Sequence, residues 1–287
     1  MKRTCQLLAL VTFGVCALSA GLARAQSSDD SVTGFIRPVG DLPDRDPLPR
    51  FVLRPLHEIP LPGPLAGSGP VLLDGRITIP VTGGTASASW SAGATPEIVP
   101  AVNAGEPAEP IWVEAPGERR RYGTLREGWL HAQKSCKRCP AGWRTIWKLR
   151  VAGGTVSPPV VTKDRIFFGA LDNRVYSLKR RNGHQRWVTT VEGRVSVSPL
   201  FIPLAESDPR VGDALVVVPG NEKVVVLGTR RGDPLGRLEL ESPDDRLVGA
   251  PVLTPDGHIA FALQRYRDED ACLLVYNLER AGDVPPP

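Results

Sequence analysis

Three copies of one strand-building unit constrain this chain more than any other feature. Val156-Ser157-Pro158-Pro159-Val160-Val161 returns as Val197-Ser198-Pro199-Leu200-Phe201 and as Gly249-Ala250-Pro251-Val252-Leu253. Each copy leads into a second apolar run: Arg165 to Gly169, Ala214 to Val218, and His258 to Ala262. A third run follows each: Arg174 to Leu178, Val224 to Leu227, and Leu274 to Leu278. A basic turn then ends in Gly183, Gly232 or Gly282. Pro159, Pro199 and Pro251 are spaced 40 and 52 residues apart, the longer interval holding an inserted loop from Ala205 to Gly212. Runs this short, rich in β-branched and aromatic residues and broken by Gly, Asn and Asp, predict strands rather than helices. A small twisted sheet cannot cover both of its faces. Stacking several around an axis lets each cover its neighbour and leaves only short edges. The expectation is an all-β propeller of four-stranded blades, about four to five in number.

The rest of the chain is organised around this array. Lys2 and Arg3 precede an apolar stretch from Leu7 to Leu22, and Ala23-Arg24-Ala25 offers small residues at both positions a signal peptidase inspects. Residues 1–25 therefore read as a signal peptide cleaved before Gln26, which predicts a periplasmic or secreted product. The rival is a lipid anchor at Cys16, for which Phe13-Gly14-Val15 is a poor recognition sequence. No later segment is long and apolar enough to span a bilayer. Residues 26–69 carry eight prolines from Pro38 to Pro64 and read as an extended arm, with Phe51-Val52-Leu53 its one short strand. Residues 70–115 read as a degenerate blade region, with Asp74-Gly75 turning a hairpin. Residues 116–145 are charged and irregular and read as an insertion holding a C-x-x-C pair and a short helix around Thr124 to Gln133. The blade repeats then occupy 146–283.

Charge and cysteine usage exclude several functions. Without residues 1–25 the chain holds 32 Lys and Arg against 31 acids, too balanced for a general nucleic-acid binder. The run Glu118-Arg119-Arg120-Arg121 reads as a solvated loop. Cys136 and Cys139 form a candidate disulfide in an oxidising compartment, with a metal or redox role as alternatives. Pro140 stands where haem attachment would need His, and His131 alone does not complete a zinc site. His57, His131, His184 and His258 are scattered, without nucleophile–base or metalloprotease spacing.

Gly169-Ala170-Leu171-Asp172-Asn173-Arg174-Val175-Tyr176-Ser177-Leu178, followed by Asn182-Gly183 and Trp187, resembles the repeat of the pyrroloquinoline-quinone (PQQ)-like propeller family. Trp147 resembles the tryptophan that ends the preceding blade. The resemblance implies that Trp147 and Trp187 dock between blades, with Tyr176 and Tyr276 packing inside them. It implies that Asp172, Asn173, Gly183, Gly232 and Gly282 form repeat turns. The second repeat has Leu238 or Leu240 where the tryptophan is due, and Lys179 replaces the family's Asp. The family divides into quinoprotein dehydrogenases and non-catalytic propellers such as the lipoprotein of the outer-membrane assembly machinery. A dehydrogenase needs a Trp platform, an adjacent-Cys disulfide, calcium ligands and an Asp base. This chain has no Cys-Cys pair. The expectation is thus a non-catalytic scaffold without cofactor, binding an envelope or secreted protein, with a homo-oligomer completing the ring as one option. The alternative is a divergent quinoprotein holding PQQ and calcium, or another small ligand on the axis.

Overall fold

The computed structural model describes residues 48–281, apart from 67–68, 83, 92, 100–110, 116–117, 126–127, 206–207, 241 and 267–269. The expected signal peptide and Gly282 lie outside the described residues. Among the described residues there is no helix; the chain forms five four-stranded antiparallel sheets arranged as the blades of a β-propeller. Hydrogen-bonded ladders stay within blades, and the blades meet chiefly through layers of apolar side chains.

Blade 1 is β2 (Val71–Leu73), β3 (Arg76–Val81), β4 (Gly84–Ala88) and β5 (Glu97–Val99). Its first hairpin turns at Asp74-Gly75, both at positive φ, as that dipeptide favours. Blade 2 is β6 (Ile111–Glu114), β7 (Arg120–Leu125), β8 (Trp129–Ser135) and β9 (Trp143–Arg150). Blade 3 is β10 (Val160–Val161), β11 (Arg165–Ala170), β12 (Arg174–Lys179) and β13 (Gln185–Thr190). Blade 4 is β14 (Leu200–Ile202), β15 (Ala214–Val217), β16 (Lys223–Gly228) and β17 (Pro234–Glu239). Blade 5 has β18 (Asp245–Leu253), β19 (Ile259–Arg265) and β20 (Ala271–Arg280) from the end of the chain, and its outer strand is β1 (Phe51–Pro60) from the beginning.

Two regions differ from the sequence expectation. The Pro-rich arm contributes a ten-residue strand, paired from Phe51↔Arg280 to Pro60↔Cys272. Proline is tolerated there because β1 is an edge strand with one neighbour, and the ladder shifts register between Pro55 and His57. The chain therefore supplies the fourth strand of its own last blade. Residues 116–145 are not an insertion with a helix. They hold β7 and β8; of the run Glu118 to Arg121, Glu118 and Arg119 form the exposed bend before β7, and Arg120 and Arg121 are its first two residues rather than part of a solvated loop. Tyr122, Leu130 and Ala132 are fully buried, so the strand period of 2 outweighs the helix-friendly composition of 124–133.

The core consists of inter-blade layers. Tyr122, Leu130 and Ala132 of blade 2 meet Ile166, Phe168 and Leu178 of blade 3. Phe167, Val175 and Trp187 of blade 3 meet Leu215, Val217 and Leu227 of blade 4. Ile59, Ala260, Leu273 and Val275 of blade 5 meet Ile77, Ile79 and Ala88 of blade 1, so the last blade packs on the first.

Candidate functional site

The two tryptophans singled out from sequence, with Gly183 and Gly232, fall into the seams between blades. Trp147 on β9 and Trp187 on β13 occupy the same ladder position. Each is paired beside a bulge, Trp147 with Ala132 and Trp187 with Ser177. The indole N–H of Trp147 donates to the Arg180 carbonyl at 3.2 Å, and that of Trp187 to the Thr229 carbonyl at 2.9 Å. Both acceptors immediately follow the third strand of the next blade. The rings lie over Gly183 and Gly232, at φ +70 and +81, where an added Cβ would stand 2.7 and 2.6 Å from indole Cε3. Glycine is needed there for the turn and for the ring above it. Tyr176 stacks on Phe168 with centroids 5.1 Å apart and donates its hydroxyl to Asp172 at 2.6 Å. Burial, and then Asp172, pushes the Tyr176 phenol up. Asn173 takes the left-handed position of the same turn, at φ +63.

Tyr276 is buried edge-on to Phe261, with centroids 5.8 Å apart. It is not the counterpart of Tyr176. Tyr276 lies opposite Ile259 at the start of β19, as Leu178 lies opposite Ile166 near the start of β11. The offset of two residues preserves the face, so alternation alone does not reveal it.

The bulge also locates latch positions that the sequence did not show. In blade 4 the equivalent of Trp187 is Gly236, paired with Val226, rather than Leu238 or Leu240. The Phe51 backbone fills the space: an added Cβ at Gly236 would lie 2.2 Å from the Phe51 carbonyl oxygen. In blade 5 the equivalent is His57, paired with Val275, and its Nε2 donates to the Trp90 carbonyl of blade 1. Only the three-dimensional register reveals this, because β1 is far in sequence from the blade it completes.

Blade 2 carries a second feature. On the face opposite Tyr122 and Leu130, the Arg121 guanidinium carbon sits 4.2 Å from the ring centroids of both Trp112 and Trp143. Arg121 Nε donates to Gln133 at 2.9 Å. Burial lowers the Arg121 pKa, with Glu114 opposing. Beside this stack the Lys148 ammonium lies 4.9 Å and the Arg150 guanidinium 6.0 Å from the Trp129 ring. Burial, and then the Lys148 charge, lowers the His131 pKa from 6.5, so the imidazole is neutral at neutral pH. Cys136 and Cys139 are joined in a disulfide across the turn between β8 and β9.

A crevice of about 480 Å³ between blades 3 and 4 is lined by Asp164, Arg165, Phe201, Asp213 and Arg230 among others. Arg165 spans it, donating to the carbonyls of Thr229 and Arg230 at 2.6 and 2.9 Å. In blade 5, Cys272 is buried near Glu58, which pairs with Arg265 at 3.3 Å. Burial, and then Glu58, pushes the thiol well above its ordinary range, so it is protonated rather than nucleophilic at neutral pH. Among the described residues no group of three His, Cys, Asp or Glu is placed to hold a metal ion.

Comparison with known proteins places this architecture. Residues 142–273 match the PQQ-type repeat family described as outer membrane protein assembly factor BamB. No curated protein matches the chain. Among solved structures, BamB from Moraxella catarrhalis is 16% identical with a TM-score of 0.42, over 75% of this chain and 59% of that one. BBS1N, solved in complex with ARL6DN, is 14% identical with a TM-score of 0.50, over 81% of this chain and 98% of that one. The WD40 propeller domain of Doa1 is 12% identical with a TM-score of 0.44, over 72% of this chain and 62% of that one. At such identities these structures speak to the fold alone. The chain is thus a five-bladed β-propeller in which residues 142–273 resemble the PQQ-like repeats of the BamB family.

Proposed function

We propose that this chain is an exported, non-catalytic propeller that binds or scaffolds other proteins in the cell envelope. The observation that carries the reading is that the repeat aromatics are spent on structure. Trp147 and Trp187 have their N–H groups bonded to the next blade and their rings against Gly183 and Gly232. Trp112 and Trp143 enclose Arg121 rather than a flat ligand. A quinone would require a free indole platform and converging oxygen ligands, and these residues do not fit one. Export rests on the basic, apolar and small-residue pattern of residues 1–25. Envelope binding rests on the likeness of residues 142–273 to an outer-membrane assembly factor.

The test is immobilisation of the full mature chain and capture from the envelope fraction of its own organism, beside absorbance after incubation with PQQ and calcium. The reading expects one protein to be retained reproducibly and no bound quinone. A stoichiometric quinone spectrum, or no retained protein, contradicts it.

A further inference from the structure

We propose that blade 2 is the docking blade and that its outer strand β9 takes an extended, acidic polypeptide segment. This deepens the reading above and rests on it. Residues 111–150 contain ten Lys and Arg against three Glu, whereas the rest of the chain holds 25 Lys and Arg against 28 acids. The positive charge of the protein is thus concentrated in one blade, and complementarity selects an acidic partner.

The structure shows where that charge is presented. β9 is the last strand of its sheet and has a ladder partner on one side only. It runs eight residues, against six for β13 and β17. Arg144, Thr145, Lys148 and Arg150 are exposed, and Ile146 is 39% exposed. Among the described residues no acidic side chain pairs with Arg144, Lys148 or Arg150; the nearby Glu118 is taken by Arg120 and Arg180. Trp129 lies beneath Lys148 and Arg150, and the disulfide-closed turn beside β9 adds exposed Lys137 and Arg138.

An edge strand offers unpaired N–H and C=O groups that a second strand can match, with alternate side chains setting specificity. Cations along such an edge oppose pairing with another copy of this chain, and an acidic strand removes that opposition. The exposed Ile146 beside the cations suits a polypeptide with an occasional apolar side chain. A nucleic acid would draw on a basic surface wider than one blade, and the remainder of the chain is net acidic.

The experiment titrates the full mature chain with a short peptide of alternating Glu and Thr, its Pro-substituted analogue of equal charge, oligothymidine, and phosphatidylglycerol vesicles. The alternating peptide is expected to bind, to weaken as salt rises, and to slow exchange of β9 amides. Arg144→Glu/Lys148→Glu/Arg150→Glu should weaken it by about tenfold or more, while Arg144→Lys/Arg150→Lys retains binding. All substituted side chains are exposed, and circular dichroism checks that the fold is kept. No binding by the alternating peptide, equal binding by the Pro analogue, unchanged affinity in the triple variant, or tighter binding of oligothymidine or vesicles each overturns the proposal. The captured envelope protein separates the two readings. Its retention by the triple variant sinks the blade 2 assignment alone, whereas its absence from the unmodified chain sinks the interaction reading itself.

Discussion

The seam between blades 3 and 4 and the seam between blades 4 and 5 meet the same requirement with opposite chemistry. In the first, Trp187 leaves β13 beside a bulge, spans the gap and ties its indole N–H to the next blade. In the second, the residue at that position is Gly236, and the Phe51 backbone occupies the space the indole would fill. The large side chain is replaced by a strand brought from the other end of the chain. That strand carries its own latch, His57, onward to Trp90 of blade 1. A propeller seam needs a filled gap and a satisfied polar contact; which atoms supply them is free to vary.

One truncation and three substitutions test this contrast. The largest effect is expected for a chain beginning at Leu61, which removes β1 together with Ile59. β20 then loses one of its two partners and the layer between blades 5 and 1 is opened. Calorimetry should show loss of the single cooperative transition. Trp187→Ala should cost about 3–5 kcal/mol in denaturant unfolding, the range for truncating a large buried aromatic. Gly236→Ala should cost about 1–3 kcal/mol, because its Cβ meets backbone at Phe51 that cannot rotate away. In the chain lacking β1 that penalty should vanish. Smallest is His57→Ala, at about 1 kcal/mol for one latch hydrogen bond.

Blade 3 was legible because it agrees with itself at every level. Phe167 and Phe168, the Asp172-Asn173 turn, Tyr176, Gly183 and Trp187 each signal the same four-stranded unit, and each occupies the position its residue type favours. Blade 2 was hidden because one of its faces is polar. Arg121, His131 and Gln133 alternate with Tyr122, Leu130 and Ala132, and such alternation is easily taken for a charged loop when no aliphatic run accompanies it. Phe51 to Leu53 showed the first part of β1; Pro55 and Pro60, which argue against a central strand and are harmless on an edge, hid the rest. The Arg121 stack was invisible for another reason: Trp112, Arg121 and Trp143 come from three strands, and no local spacing joins them. The charge imbalance of 111–150 was the one available signal.

Amide hydrogen exchange of β1 tests the central claim most directly. If Val52 to Ile59 complete the fifth blade, the amides of β1 that face β20 should exchange as slowly as those of β12 and share its dependence on denaturant. Exchange of the whole segment at the rate of an unstructured chain, while β12 stays protected, would show that the first residues of the propeller do not close its last blade.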